Sequence, residues 1–435
     1  MSRLQTIGNM NKFSRNSFFN RFQTINKNYD WVLFGIVVTL CIVGLTFLAS
    51  VLSIKIQPQY YKSLLKQMIF GVWIGGFLAY ILARIDYHKL FKFKNIILNV
   101  TIAMLAFIAI FAIYTQITGM SEVGKKIFID KLANPIIAPS IANGSIRWID
   151  TPVLLIQPSE VAKLALLILF AAKLNSLREG EITWMDLKKP FYAFALVSAL
   201  IIVQPDLGSI VLIFGIIFTA MWFAKVPFRI LATVACLVTT LILISAFTTG
   251  YRKSRIVVSI DNKNASSRER YQTDNAQLAI ANGGLWGTGY GNSEAKQRGS
   301  VPESSTDAII SIISEEIGFV GTVVFLSLYV FLCFRGLKIA REAPDVGGKA
   351  LAIGIIFWIT AQAFWNIGGI IGIAPLKGIP LPFVSEGGTA MVLNLASMGI
   401  LMNISSQKNQ SGESSERSQP STSVLRRKRF LRAKS

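Results

Sequence analysis

Long apolar runs recur from one end of the chain to the other, with short polar stretches between them. They cover roughly 31–53, 65–83, 96–117, 158–175, 188–204, 208–224, 228–248, 308–334, 348–372 and 389–404. A membrane-crossing helix needs about 20 mainly apolar residues, and the runs lack the short in–out alternation of a transmembrane strand. The pattern predicts an all-α polytopic membrane protein with about ten transmembrane helices. Only "QPDLG" separates the fifth run from the sixth. Two longer polar stretches, about 118–156 and about 249–306, read as outer loops, the second being the one large outer loop between helices 7 and 8. A polar, basic stretch over 1–30 and a Ser-rich, then basic stretch over 406–435 read as tails, the latter disordered, which leaves a membrane domain over 31–405. The first run follows a polar stretch and is of spanning length, so it is expected to serve as an uncleaved anchor.

Charge orients this pattern. Arg84, Lys89, Lys92 and Lys94 crowd one short connection; Lys173, Arg178, Lys188 and Lys189 another; Lys225 and Arg229 a third; Arg335, Lys338 and Arg341 a fourth. An even number of crossings puts both termini on the side of these clusters, and the positive-inside bias makes that side cytoplasmic. The net charge of +21 therefore follows the membrane and predicts no nucleic-acid partner. The basic C-terminal cluster is expected to contact anionic inner-leaflet lipid. Cys41, Cys236 and Cys333 each lie within an apolar run, with no metal-ligand spacing and no disulfide framework.

Several polar residues stand where a membrane would not choose them. The stretch "VPESSTDAIISIISEEIGFVG" (301–321) carries Glu303, Asp307, Glu315 and Glu316 into the eighth run. On a continuous helix Asp307, Ser311, Ser314 and Gly318 share one face, with Glu315 at its edge. Charge at the bilayer centre costs at least about 2.5–3.5 kcal/mol. Either the stripe lines an outward-opening cavity, or the span starts near Ile317 and 303–316 is an interfacial helix; helix physics alone does not choose. In "NGSIRWIDTPVLLIQPSEVAKLALLILF" Pro158 suits a first helical turn, and Glu160 and Lys163 share a face three residues apart. Arg147, Trp148 and Asp150 precede them, an arrangement that an ordinary interfacial anchor also explains. Asp206 in "QPDLGS" reads most simply as a helix cap.

The glycines of "GGLWGTGYG" imitate a phosphate loop only superficially, because no strand precedes and no lysine–serine pair follows. A Gly-rich turn joining a surface or re-entrant helix to the next span is the expectation. Arg268, Arg270, Lys296 and Arg298 make this outer loop basic. An anionic ligand such as a phosphate or pyrophosphate explains that; so does indifference, since long loops translocate regardless of charge. In "NIGGIIGIAPLKGIPLPFVSEGGTAMVLNL", Asn366 lies inside a span and Pro375, Pro380 and Pro382 break helices near the outer face, beside Lys377, Ser385 and Glu386.

In this order, the five pieces resemble the SEDS family (shape, elongation, division and sporulation), which includes FtsW and RodA. The resemblance spans about 31–405. It is carried by Arg147, Trp148, Gln157, Pro158, Ser159, Glu160 and Lys163; by Pro205, Asp206 and Gly208; by Gly283 to Lys296; by Pro302, Glu303, Thr306, Asp307, Glu315, Glu316, Gly318, Phe319 and Gly321; and by Gly372 to Gly388. Two positions depart from it: Ser305 stands where His is frequent, and Glu386 where an aromatic is.

The resemblance implies a ten-span peptidoglycan glycosyltransferase that polymerises lipid II on the outer face of the bacterial plasma membrane, with Asp307 as its essential catalytic residue. It also implies a class B penicillin-binding protein and other division proteins as partners. The division branch is favoured here, and an elongation-type polymerase, a lipid II flippase and a silent scaffold are the alternatives. The acceptor hydroxyl needs a base, and Asp307 is the candidate. Arg147, Glu160, Lys163, Arg268, Lys296, Glu303 and Lys377 are the candidate substrate-binding residues. Asp206, Ser311, Glu315, Gly318, Pro380 and Ser385 are the candidates for shaping the cavity. A divalent cation, Mg or Mn, is a further candidate for stabilising the leaving pyrophosphate.

Overall fold

A computed structural model describes residues 29–53, 63–119, 138–142, 145–151, 155–177, 182–247, 267–374 and 378–418. Its helices follow the apolar runs: α1 (Trp31–Ser53), α2 (Ser63–Arg84), α3 (His88–Ile117), α4 (Pro158–Ser176), α5 (Trp184–Val203), α6 (Leu207–Phe223) and α7 (Phe228–Phe247). After them come α8 (Ser267–Asn282), the short α9 (Glu294–Arg298), α10 (Ile309–Arg341), α11 (Val346–Ile370) and α12 (Gly388–Ser418). Among the described residues, α1, α2, α3, α10, α11 and Gly388–Gln407 of α12 are long and apolar enough to cross a membrane, and α6 and Phe228–Leu241 of α7 are shorter apolar helices. Asp30–Ser405 forms one compact unit; Met1–Tyr29 with Ser406–Ser435 forms another, in which only Tyr29 and residues 406–418 are described.

The all-helical expectation needs one correction. Part of the predicted 118–156 loop folds as a small antiparallel sheet of β1 (Ala138–Ala142), β2 (Ser145–Asp150) and β3 (Leu155–Ile156) in the order β1-β2-β3. A register shift between Ser140 and Ile141 skips Arg147 in the ladder, and Ile146 and Ile149 are both buried and pack against Ile108 of α3. A hairpin satisfies its own backbone groups where no helix covers them.

The centre of the unit is α11, packed against α4, α6 and α10. It is apolar over most of its surface, as a largely buried helix is, with Gln362 and Asn366 as buried polar exceptions. At its start, Asp345 accepts hydrogen bonds from the Tyr87 hydroxyl and from Gly348 N (2.6 Å), and His88 bridges Asp86 and Asp345. Burial and the Asp345 carboxylate push the Tyr87 phenol well above its usual range, which keeps it protonated as a donor.

The eighth apolar run is not the continuous helix predicted. α10 breaks at Gly318, whose backbone (φ 69°, ψ −174°) is left-handed. The break strips hydrogen bonds from the flanking turns, and the Gly-rich segment replaces them. Thr288 N and Gly289 N donate to the carbonyls of Glu315 (2.9 Å) and Glu316 (3.0 Å), while Phe319 N and Val320 N donate to Gly284 (2.9 Å) and Leu285 (3.2 Å). "GGLWGTGYG" is thus a backbone splint along a broken helix. Irregular backbone inside a membrane unit is tolerated where protein satisfies it. A Cβ on Gly287, itself at φ 85°, would lie 2.3 Å from the Glu316 carbonyl oxygen. Gly287→Ala is therefore expected to lower stability by about 1–3 kcal/mol from the backbone conformation alone, with the clash in addition. A thermal midpoint in detergent equal to that of the native chain would contradict the splint.

Candidate active site

Asp307 sits in the turn that enters α10, one residue before the N-cap Ala308, rather than on the helix face. Glu303 builds this turn. Its carbonyl accepts from Thr306 N and Ala308 N (both 3.1 Å), and its carboxylate accepts from the Thr306 hydroxyl (3.0 Å). Glu303 is exposed and takes φ 54° to do so. The opposite wall is the segment 378–387. Its carbonyls at Pro382 and Ser385 accept from the Tyr329 hydroxyl (2.6 Å) and Gln67 Nε2 (3.2 Å), and Glu386 N donates to the Ser305 carbonyl (2.9 Å). Ser385 Oγ accepts from Leu381 N (2.8 Å), so this serine is buried as a turn element.

A small cleft opens between these parts, lined by Arg147, Trp148 and Gln157, by Glu160 and Lys163, by Asp206, Ser209 and Leu212, and by Gly378, Ile379 and Pro380. Asp307 meets it at Gly378, where an added Cβ would lie 3.0 Å from Asp307 Oδ2. A side chain there would push on the half-buried carboxylate, which would have to give by a few tenths of an ångström. The β2 residue Arg147 donates through Nε and Nη2 to the carbonyls of Gln204 (3.1 Å) and Pro205 (2.7 Å), and among the described residues its other guanidinium N–H groups take no acceptor, so they serve as donors for the cleft. Lys163 is fully buried and pairs with Glu160 Oε1 at 2.5 Å; its ammonium also donates to Gln362 Oε1 (3.0 Å) and lies 5.1 Å from the Trp358 ring centre. The other Glu160 oxygen, Oε2, is buried with no hydrogen-bond donor among the described residues. Asp206 caps α6, accepting from Ser209 N (3.2 Å) and Ser209 Oγ (2.6 Å) while it lines the cleft.

Several expected site residues are elsewhere. Lys296, expected to face an anionic ligand, is buried and pairs with Glu316 at 2.6 Å, because the chain returns α9 to the core beside α1. Glu316 also accepts from Ser50 Oγ (2.7 Å). Glu315, expected at a cavity edge, is fully buried and accepts from the Ser293 hydroxyl, Glu294 N (3.1 Å) and Ala295 N (3.3 Å). Two carboxylates that read as cavity groups thus hold the Gly-rich loop and α9 to the broken helix. Ser311 is also fully buried, its hydroxyl returned to the Ala308 carbonyl, and Gly318 is the break itself. Asp307 lies in the turn before the helix and so does not share the face of Ser311 and Glu315, and α9 with the Gly-rich loop covers that stretch of the helix. Pro380 lines the cleft as expected. Of Arg268 only the backbone, in the first turn of α8, is described, and Lys377 lies outside the described residues. Among the described residues no three His, Cys, Asp or Glu side chains converge as a metal site, so no step is routed through a cation. Gln362 was missed; a lone Gln in a spanning helix was its signal.

An ion pair and a cluster of polar groups enclosed by apolar helices define a polytopic membrane protein with a polar site built inside its helical bundle. Comparison with known proteins sharpens this. The FtsW/RodA/SpoVE profile, described as "Cell cycle protein", matches residues 127–410. The "Probable peptidoglycan glycosyltransferase FtsW" of Geobacter metallireducens is 28% identical over 88% of this chain and 96% of its own. Its namesake in Bacillus subtilis is 32% identical over 87% and 91%. "Peptidoglycan glycosyltransferase MrdB" of Escherichia coli is 32% identical over 61% and 72%. The Thermus thermophilus rod shape determining protein RodA has the same fold, with a TM-score of 0.60 at 22% identity over 88% of this chain and 98% of that one. A chain of a peptidoglycan synthase complex superposes with a TM-score of 0.68 at 22% identity, covering 88% and 99%. The chain belongs to the FtsW/RodA/SpoVE family of cell cycle proteins.

Proposed function

We propose that this chain is a peptidoglycan glycosyltransferase that polymerises lipid II into glycan strands, with Asp307 as the general base. The observation that carries the reading is the placement of the Asp307 carboxylate against Gly378, in the wall of a cleft that also holds Arg147, Glu160 and Lys163. In the reaction, the acceptor 4-hydroxyl oxygen forms a bond to C1 of the donor sugar as the bond from C1 to the lipid diphosphate breaks. The hydroxyl proton passes to Asp307. The departing diphosphate takes up negative charge, and the uncommitted N–H groups of Arg147 are placed to stabilise it. The single displacement inverts the α-linked donor to a β-linked product.

The reading places the chain in the bacterial plasma membrane with ten crossings, both tails cytoplasmic and the cleft open to the outer face. The clustered basic connections support that orientation. It takes a class B penicillin-binding protein as partner; the superposable chain from a peptidoglycan synthase complex supports this. The division branch is the one favoured, on the stretch 301–321 and the long polar tails. The purified full chain, with the penicillin-binding partner present, is expected to convert lipid II into glycan polymer. Lipid translocation without synthesis would assign a flippase instead.

A further inference from the structure

α11 carries three polar side chains at successive helical turns, Trp358, Gln362 and Asn366. Gln362 is fully buried and Asn366 nearly so. A buried amide costs about 1–3 kcal/mol for each unsatisfied group, so what these two bond to indicates what they do. Asn366 Nδ2 donates to the Asp307 carbonyl at 2.7 Å and the Ile379 carbonyl at 2.8 Å. Two carbonyls at one end of the side chain fix which end is nitrogen. Gln362, one turn away, donates from Nε2 to the Pro380 carbonyl (2.9 Å) and accepts through Oε1 from Lys163 Nζ (3.0 Å) and Trp358 Nε1 (2.8 Å).

One face of one helix thereby joins three parts of the site: the backbone of Asp307, the wall at Ile379 and Pro380, and Lys163 of the Lys163–Glu160 pair. These components come from segments far apart in sequence, and neither segment 378–380 nor the turn at 307 is part of a helix. We infer that Asn366 and Gln362 are positioning residues that set the distance and angle of the Asp307 carboxylate relative to the cleft. This rests on the reading above. Asn366 spends both amide hydrogens on backbone carbonyls, so it acts through Asp307 and not on substrate. An error of about 1 Å in such a placement is worth on the order of 100-fold in rate. Substrate affinity, set by the rest of the cleft, is affected much less.

The test is steady-state polymerisation of lipid II by the full chain with its penicillin-binding partner, with rates normalised to folded protein. Asn366→Asp keeps the shape and removes donors; Gln362→Met, one turn away, releases Pro380. For each, kcat is expected to fall at least about tenfold with KM within about threefold. A solely structural role would reduce the yield of folded protein and leave kcat per folded molecule native; that result overturns the inference. So does failure of both variants to fold, which would make the amides a folding requirement. If the native chain polymerises and the variants match it, only the positioning role falls. If the native chain does not polymerise, the functional reading falls first.

Discussion

Asp307→Asn is expected to cut lipid II polymerisation by about 10²–10⁴-fold, the contribution typical of a positioned general base. At about 1.4 kcal/mol per factor of ten, that is roughly 3–6 kcal/mol of barrier. The substitution is nearly isosteric. The main-chain carbonyl of residue 307 still accepts from Asn366, and the Glu303 and Thr306 hydrogen bonds that build the turn are kept. Expression, insertion and thermal midpoint are therefore expected to match the native chain. The check is glycan product from purified lipid II beside a melting curve on the same preparation. A variant that melts normally and polymerises at the native rate ends the case for Asp307 as the base.

The second large effect is on stability. Lys296→Met is expected to destabilise the chain by about 3–5 kcal/mol, because it strands a buried carboxylate. Glu316 is fully buried, and its remaining side-chain donor among the described contacts is Ser50 Oγ. The lysine ammonium also bonds Ser50, at Oγ (2.5 Å) and at the carbonyl (3.2 Å), so its loss takes a donor from three groups together. The paired replacement Lys296→Met with Glu316→Leu is expected to recover most of the loss, since an apolar pair of similar volume often matches a buried ion pair. Thermal unfolding in detergent measures both. Unchanged stability with a raised KM for lipid II would return Lys296 to the substrate-binding role that its position in a basic loop suggested.

The contrast between Asp307 and Lys296 marks where reading the chain succeeded and where it failed. Apolar runs are local statements: about 20 residues without charge leave few options in a membrane, and most helices begin and end close to the apolar runs, while α3 starts earlier and α10 and α12 run on past them. The cap at Asp206 and the pairing of Glu160 with Lys163 are equally local, set by neighbours three residues away. Lys296 was misread because its partner lies on α10 and its lid on α1, neither predictable from a loop's own sequence. Glu315 and Glu316 were misread for the same reason. Their cost in a membrane was recognised correctly, but protein groups offset it where a wet cavity was expected.

By itself the sequence determined the helices and the membrane class, since each depends on composition or on spacing within a few turns; the order of its motifs carried the family resemblance, and that resemblance pointed to Asp307 as the residue to test. Tertiary structure alone decided that the eighth run breaks at Gly318, that the Gly-rich loop splints the break, and that Gln362 and Asn366 gather Asp307, Ile379, Pro380 and Lys163. Those outcomes depend on hydrogen bonds between residues tens to hundreds of positions apart. A buried polar group takes whichever partner packing brings to it, and the order of residues along the chain does not name that partner.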